Sequence, residues 1–196
     1  GFWVIRRLMR RPALWPGDRA PMAPERTDDL LTAIILGVII GGRLGFVLFY
    51  QPLHYLSHPV EILKVWEGGM SFHGGFLGVL AAGLWFARRN GVPPAQLSDA
   101  MALVTPIGLF FGRLANFVNA ELWGRPTGLP WGVVFPGAAA QDCPGVAPGL
   151  CARHPSQLYE AGLEGLLSFA VLWLLFWKSD ARYFPGRLFG MLALLY

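Results

Sequence analysis

The run Leu30–Tyr50, LLTAIILGVIIGGRLGFVLFY, carries one charged side chain, Arg43, in an otherwise apolar stretch. About 20 such residues cross the hydrocarbon core of a bilayer as a helix. Backbone groups in hydrocarbon must pair within their own segment, and a helix does this alone. This one stretch commits the chain to a membrane-embedded helical fold. The rival, a soluble all-α protein with unusually apolar core helices, fits the composition poorly. The chain of 196 residues is 54% hydrophobic and 14% charged, with mean hydropathy +0.45. Soluble domains sit near ~45–50% apolar and ~25% charged.

Further apolar runs follow at Met70–Ala87, at Leu97–Val118 (with Asp99, Arg113 and Asn116), and at Gln157–Trp177 (with Glu160 and Glu164 near its start). Another begins near Arg187 and stops at Tyr196. The pattern predicts an all-α polytopic membrane protein: one transmembrane domain over 1–196, with spans at about 30–50, 70–87, 97–118, 157–177 and a truncated 187–196. Both ends look cut, because the chain opens on Gly1 and stops inside an apolar run.

The basic residues assign the sides. Arg6, Arg7, Arg10, Arg11, Arg19, Arg26, Arg88, Arg89, Lys178, Arg182 and Arg187 fall on one side of alternating spans. Lys64, Arg125 and Arg153 fall on the other, and Arg43 and Arg113 lie within spans. The richer side is cytoplasmic by the positive-inside rule. The same rule accounts for the net charge of +4, so a nucleic-acid partner is not indicated. Residues 51–69 and 119–156 then face outward, and 119–156, rich in Gly and Pro, reads as a small irregular extracytoplasmic head. Cys143 and Cys151 lie in that head and can pair if it faces an oxidising compartment. Two cysteines without His or Cys partners at ligand spacing do not make a zinc site.

Polar groups inside a membrane demand a protein-lined or wet surrounding. Arg43 is about seven residues, or ~10 Å, from the outer end of its span. It either snorkels outward or presents a cation to an anionic headgroup. Gly37, Gly41 and Gly45 form a small-residue ladder suited to packing a neighbouring helix. His73-Gly74-Gly75 opens the second span, where the helix dipole opposes an imidazolium and favours a neutral, proton-accepting ring. Arg113, Asn116 and Asn119 recur every three residues at the outer end of the third span, with Glu121 and Arg125 just beyond. That set either ties helices together or grips a phosphate, for which a guanidinium offers a matching fork. Arg153-His154-Pro155-Ser156-Gln157-Leu158-Tyr159-Glu160 leads into the fourth span, with Ser156 as a candidate cap. Glu160 and Glu164, one turn apart, are candidate counter-ions. All three polar clusters are expected in the outer half of the membrane.

Taken together these segments resemble the prolipoprotein diacylglyceryl transferases. Gly112–Gly124 reads GRLANFVNAELWG, a full match to the signature run G-R-x-[GA]-N-F-x-N-x-E-x-x-G, and it continues through Arg125-Pro126-Thr127 and Pro130-Trp131-Gly132. Gly42-Arg43-Leu44-Gly45, His73–Gly75 and Arg153–Glu160 also look like family blocks, in family order. The resemblance implies a seven-span enzyme of the bacterial cytoplasmic (inner) membrane with its site open to the extracytoplasmic side. Such an enzyme takes diacylglycerol from phosphatidylglycerol, joins it as a thioether to the lipobox cysteine of a prolipoprotein, and releases glycerol phosphate. No metal or soluble cofactor is implied. His73, Arg113 and Glu121 become candidate catalytic residues. Arg113, Asn116, Asn119, Arg43, Arg153, Tyr159 and Glu160 become candidate ligands for the phosphatidylglycerol headgroup. Glu121 and Glu160 are expected to orient arginines. The family's tyrosine in its first span and arginine in its last outward segment have no counterpart here, so this stretch alone is expected to be inactive. A non-catalytic phospholipid-binding or lipid-transporting protein fits composition and topology equally well; the motif set argues against it.

Overall fold

The computed structural model describes residues 1–143, 145 and 150–196. Part of the expected head, Pro144 and residues 146–149, therefore lies outside the described residues. The chain divides into two compact units, residues 2–100 and residues 101–196 together with Gly1.

The first unit contains α1 (Phe2–Met9), α2 (Arg26–Phe49), α3 (Pro52–Ser57) and α4 (Phe72–Asn90). Two short 3-10 turns, Pro59–Leu63 and Val65–Glu67, fill the link between α3 and α4. Helices α2 and α4 pack glycine against glycine, which answers what the small-residue ladder is for. A Cβ at position 37 would lie 2.5 Å from the Gly78 carbonyl oxygen, and one at 45 would lie 2.7 Å from Gly74 Cα. Only bare backbone allows helices this close. Ser71 caps α4, its Oγ accepting from the Gly74 N–H at 3.2 Å. Gly91 ends α4 in the left-handed conformation, φ 63°, which glycine adopts without strain.

Helix α5 (Pro94–Ala102) leads to the second unit, which holds α6 (Thr105–Val118), α7 (Ala138–Gln141), α8 (Ser156–Lys178) and α9 (Arg187–Leu195). The sequence predicts one continuous span over 97–118; the structure breaks it at Leu103–Val104 into α5 and α6. Pro106 in the first turn of α6 explains the break, since it donates no hydrogen bond and crowds the carbonyl four residues back. Helix α8 carries a π-helical stretch, Ala161–Leu167. There Ser168 Oγ donates to Leu163 O, five residues back, at 3.1 Å, and a Cβ on Gly165 would stand 2.7 Å from Phe110 Cβ. Leu172 and Phe176 are buried, and Trp173 Nε1 donates to Leu103 O at 3.3 Å.

Helices α2 and α8 are each long and apolar enough to cross a membrane, and α5 and α6 meet that test when taken together. No β-strand longer than an isolated bridge occurs among the described residues. The chain is an all-α membrane protein.

Candidate functional site

The last turn of α6 is built to aim three polar side chains at one place. Asn119 caps the helix, its N–H bonded to Ala115 O at 2.9 Å. Ala120 and Leu122 then take φ of 54° and 56°, a left-handed geometry that a side chain adopts only under constraint. The two turns swing Glu121 back over the helix end. Its backbone N–H donates to Asn116 O at 3.0 Å. Its Oε1 accepts from Asn116 Nδ2 at 2.8 Å and from Asn119 Nδ2 at 3.4 Å. Glu121 was expected to orient an arginine; it binds these two amides instead. Beneath it lies Gln157, fully buried, donating from Nε2 to Glu121 O at 2.5 Å. The Gln157 Oε1 is buried without a hydrogen bond to any described residue.

One turn earlier, Arg113 faces α8. Its Nε and Nη2 both donate to Glu164 Oε2, at 3.3 and 3.2 Å. Glu160 Oε2 stands 3.0 Å from the same Nε, in contact as an ion pair although the N–H itself points to Glu164. The side chains of Arg113 and Glu164 are each 22% exposed. One guanidinium thus lies between two carboxylates, and its Nη1 makes no hydrogen bond to a described residue. The guanidinium has the fork that suits a phosphate, and two carboxylates already flank it.

Tyr159 stands on the same helix. Its hydroxyl accepts from Trp131 Nε1 at 2.8 Å and lies 3.1 Å from His154 Nδ1. Arg153 is spent differently. It is buried, with Nε donating to Ala140 O at 2.6 Å, Nη1 to Gly124 O at 3.2 Å and Nη2 to Asp142 O at 2.7 Å. Its guanidinium also covers the Trp123 ring at 4.2 Å. Through bridges to Pro126 and Val133, this residue organises the head, and a disulfide joins Cys143 to Cys151 beside it. Ser156 begins α8 rather than capping it, and Pro155 holds the cap position without a side-chain bond.

In the first unit, Arg43 neither snorkels nor reaches open space. It is 4% exposed, and its Nε donates to Ile62 O at 2.9 Å. Nη1 donates to Gly68 O at 2.6 Å and to Gly69 O at 3.3 Å, and Nη2 donates to Glu61 O at 2.5 Å. The Tyr55 ring lies 5.2 Å from its guanidinium carbon. Every guanidinium nitrogen is committed to backbone of the 51–69 link. His73, in the first turn of α4, is exposed, packs edge-on to Phe72 at 5.7 Å, and makes no hydrogen bond among the described residues. No group of three or more potential metal ligands occurs among the described residues.

The family model for prolipoprotein diacylglyceryl transferase matches residues 1–196. The chain belongs to the prolipoprotein diacylglyceryl transferase family. It is 60% identical over 191 residues to the phosphatidylglycerol–prolipoprotein diacylglyceryl transferase of Cereibacter sphaeroides, covering 97% of this chain and 65% of that protein. The enzymes of the same name from Ruegeria pomeroyi and Bradyrhizobium diazoefficiens are 61% and 46% identical over 182 and 198 residues. Those matches cover 93% and 100% of this chain, and 61% and 66% of the relatives. The chain thus spans about two thirds of the length of the transferases it matches.

Within this transferase family member, the structure gathers Arg113, Asn116, Asn119, Glu121 and Glu160 around the α6–α8 contact. It leaves Arg43 and Arg153 as backbone organisers. The sequence offers Glu164 as a counter-ion but not as part of the site, although it accepts both of the side-chain hydrogen bonds that Arg113 donates among the described residues. The signal was its spacing, one turn after Glu160. Gln157 carries no signal of its own in the sequence; only its setting inside the RHPSQLYE block points to it. The pairing of His154 and Trp131 with Tyr159 carried no sequence signal, because the partners are 5 and 28 residues away.

Proposed function

We propose that the protein of which this chain is the greater part transfers the diacylglyceryl group of phosphatidylglycerol to the lipobox cysteine of a prolipoprotein, in the bacterial inner membrane. The observation that carries the reading is Arg113 held by Glu164 and Glu160 one turn below the Asn116–Asn119–Glu121 cluster, in a chain that matches the family from end to end. The cysteine sulfur attacks the glycerol carbon that bears the phosphate. A carbon–sulfur bond forms, the carbon–oxygen bond to phosphate breaks, and glycerol phosphate departs with the electron pair.

A free thiol, with an ordinary pKa of about 8.5, is only a few per cent thiolate at neutral pH. His73, exposed and unbonded in the first turn of α4, is our candidate to take its proton. Arg113 stabilises charge gathering on the departing phosphate, the electrostatic contribution that is usually largest. The Asn116 and Asn119 amides, now turned to Glu121, are donors that a headgroup can recruit. The arginine that the resemblance places beyond this stretch would supply a second cation.

Full-length protein incubated with phosphatidylglycerol and a lipobox peptide tests the reading. It requires a peptide heavier by one diacylglyceryl group, with glycerol phosphate released in equal amount. Phospholipid binding with no mass shift would favour a lipid-binding or lipid-transporting protein. His73→Gln with near-normal turnover from pH 6 to 8 would remove His73 as the base.

A further inference from the structure

A second arginine cluster is built on α1 and the residue that follows it. Trp3, Arg6, Arg7 and Arg10 fall at positions i, i+3, i+4 and i+7, the spacing that lines one face of a helix. They enclose a polar groove of about 340 Å³ lined by these four side chains. Three guanidinium groups share it with a single acidic partner among the described residues: Arg6 Nη1 lies 3.7 Å from Asp28 Oδ2. Arg7 covers the Trp3 ring at 5.2 Å. The Arg6 Nε–H is buried with no acceptor among the described residues, although a buried donor is nearly always paired. The excess of positive charge around the groove points to an anionic ligand with several acceptor oxygens.

Its place specifies the class. Asp28 is in the first turn of α2, so the groove lies at the N-terminal end of a membrane-crossing helix. Arg43 is fifteen residues further along that helix, ~22 Å away at 1.5 Å per residue. The groove is therefore at the headgroup level of one leaflet, with Trp3, 66% exposed, where an interfacial tryptophan belongs. Basic pockets at this depth bind phospholipid headgroups.

We propose that Arg6, Arg7 and Arg10 form a binding site for a phosphate ester, the headgroup of an anionic phospholipid, separate from the site at Arg113. Orientation of the helices by positive charge needs basic residues on that side but neither the groove nor the shared face. The two explanations therefore predict different results.

The test uses full-length protein in detergent, titrated with phosphatidic acid and read by native mass spectrometry. Phosphatidic acid carries the phosphate without the glycerol headgroup, so the result is independent of transferase activity. R6Q/R7Q/R10Q is expected to lose one bound lipid and to weaken the apparent affinity about tenfold. R11Q, on an exposed arginine outside the groove, should bind as wild type. D28N releases Arg6 from its carboxylate and should tighten binding two- to threefold, a gain that a misfolded variant would not give. Full displacement of the lipid by millimolar inorganic phosphate would support the phosphate site while naming the free ion as its ligand. Wild-type stoichiometry in the triple variant, or an equal loss in R11Q, would overturn the proposal.

Discussion

Arg113 and Glu164 are joined by two hydrogen bonds onto one oxygen, with Nε and Nη2 both donating to Oε2. This fixes the plane of the guanidinium and leaves Nη1 as its outward corner. A lysine at 113 offers a point charge on a flexible stem and cannot hold both bonds in one plane. On the proposed function, Arg113→Lys in the full-length protein is expected to lower diacylglyceryl transfer by about 10²-fold or more, the usual loss when a charge-stabilising donor is removed. Glu164→Gln keeps an acceptor but holds the guanidinium plane less firmly, and should cost about tenfold. Melting temperatures within a few degrees of wild type would assign both losses to chemistry. A lysine variant with half the normal rate would remove Arg113 from the proposed role.

The contact between α2 and α4 predicts a contrast between glycines. A Cβ at 45 meets Gly74 Cα at 2.7 Å and Gly74 N at 3.2 Å, and both are backbone atoms that cannot swing away. A Cβ at 83 meets nothing within 4 Å. Gly45→Ala should destabilise the protein by roughly 1–3 kcal/mol, the range for overpacking. Gly83→Ala should be neutral or slightly stabilising, since alanine is the better helix former. Thermal unfolding in detergent distinguishes them, and equal effects would mean the two helices are not held in this register.

Why the helices were readable and parts of the site were not follows from the range of the forces involved. An apolar run such as Leu30–Tyr50 declares a helix by itself, because hydrocarbon leaves the backbone no other solution. Pro106 breaks the run 97–118, which reads as one span when periodicity is followed alone. Arg43 is harder. Its environment is made by four carbonyls between 18 and 26 residues away, and backbone acceptors leave no trace in residue identity. Arg153 repeats the case in the head. Arg113 and Glu164 are 51 residues apart, but each is a charge that lipid rejects, so the sequence says that they need partners and the fold selects which. The turn to Glu121 needs positive φ at Ala120 and Leu122, and neither residue type announces that.

Along the chain, the disulfide-bonded Cys143 and Cys151 fall between Arg153 and two of its acceptors, Ala140 and Asp142. Cross-linking a loop of this length stabilises by about 2–3 kcal/mol in the chain-entropy account. Cys143→Ala/Cys151→Ala should lower the melting temperature and expose the head to protease, with cleavage near Arg125 and Arg153 rising in parallel. Addition of a reductant to wild type should reproduce the variant. A head equally resistant in both forms would show that Arg153 alone suffices to hold it.

Glu61 gives the 51–69 link a modest acid sensitivity. The hydrogen bond from His54 Nε2, 2.8 Å from Oε2, draws the carboxyl below its ordinary value of 4.5, aided by the charge of Lys64. A carboxyl lowered in the folded state contributes stability that is fully present above the ordinary value. That contribution is lost as pH falls through the lowered one. The Glu61 contribution to the proteolytic resistance of the link should therefore be present down to about pH 5 and be lost only below the ordinary carboxylate range. His54→Gln should move that loss to higher pH. A variant that follows the wild-type profile would show that His54 does not hold Glu61.

Arg43 offers the sharpest choice between a residue that builds the fold and one that binds substrate. Its guanidinium donates to four carbonyls of the link, so Arg43→Met leaves those acceptors without partners. A buried acceptor left unpaired costs roughly 1–3 kcal/mol. The link is partly exposed and can turn several of them to water, so a net loss of about 2–3 kcal/mol is expected. Trypsin cleavage after Lys64 should accelerate accordingly, while phosphatidylglycerol affinity changes less than threefold. Arg43→Lys should recover part of the resistance, because an ammonium reaches fewer of the four oxygens. Unchanged cleavage at Lys64, together with a tenfold loss of phosphatidylglycerol affinity, would return Arg43 to the headgroup and remove it from the link.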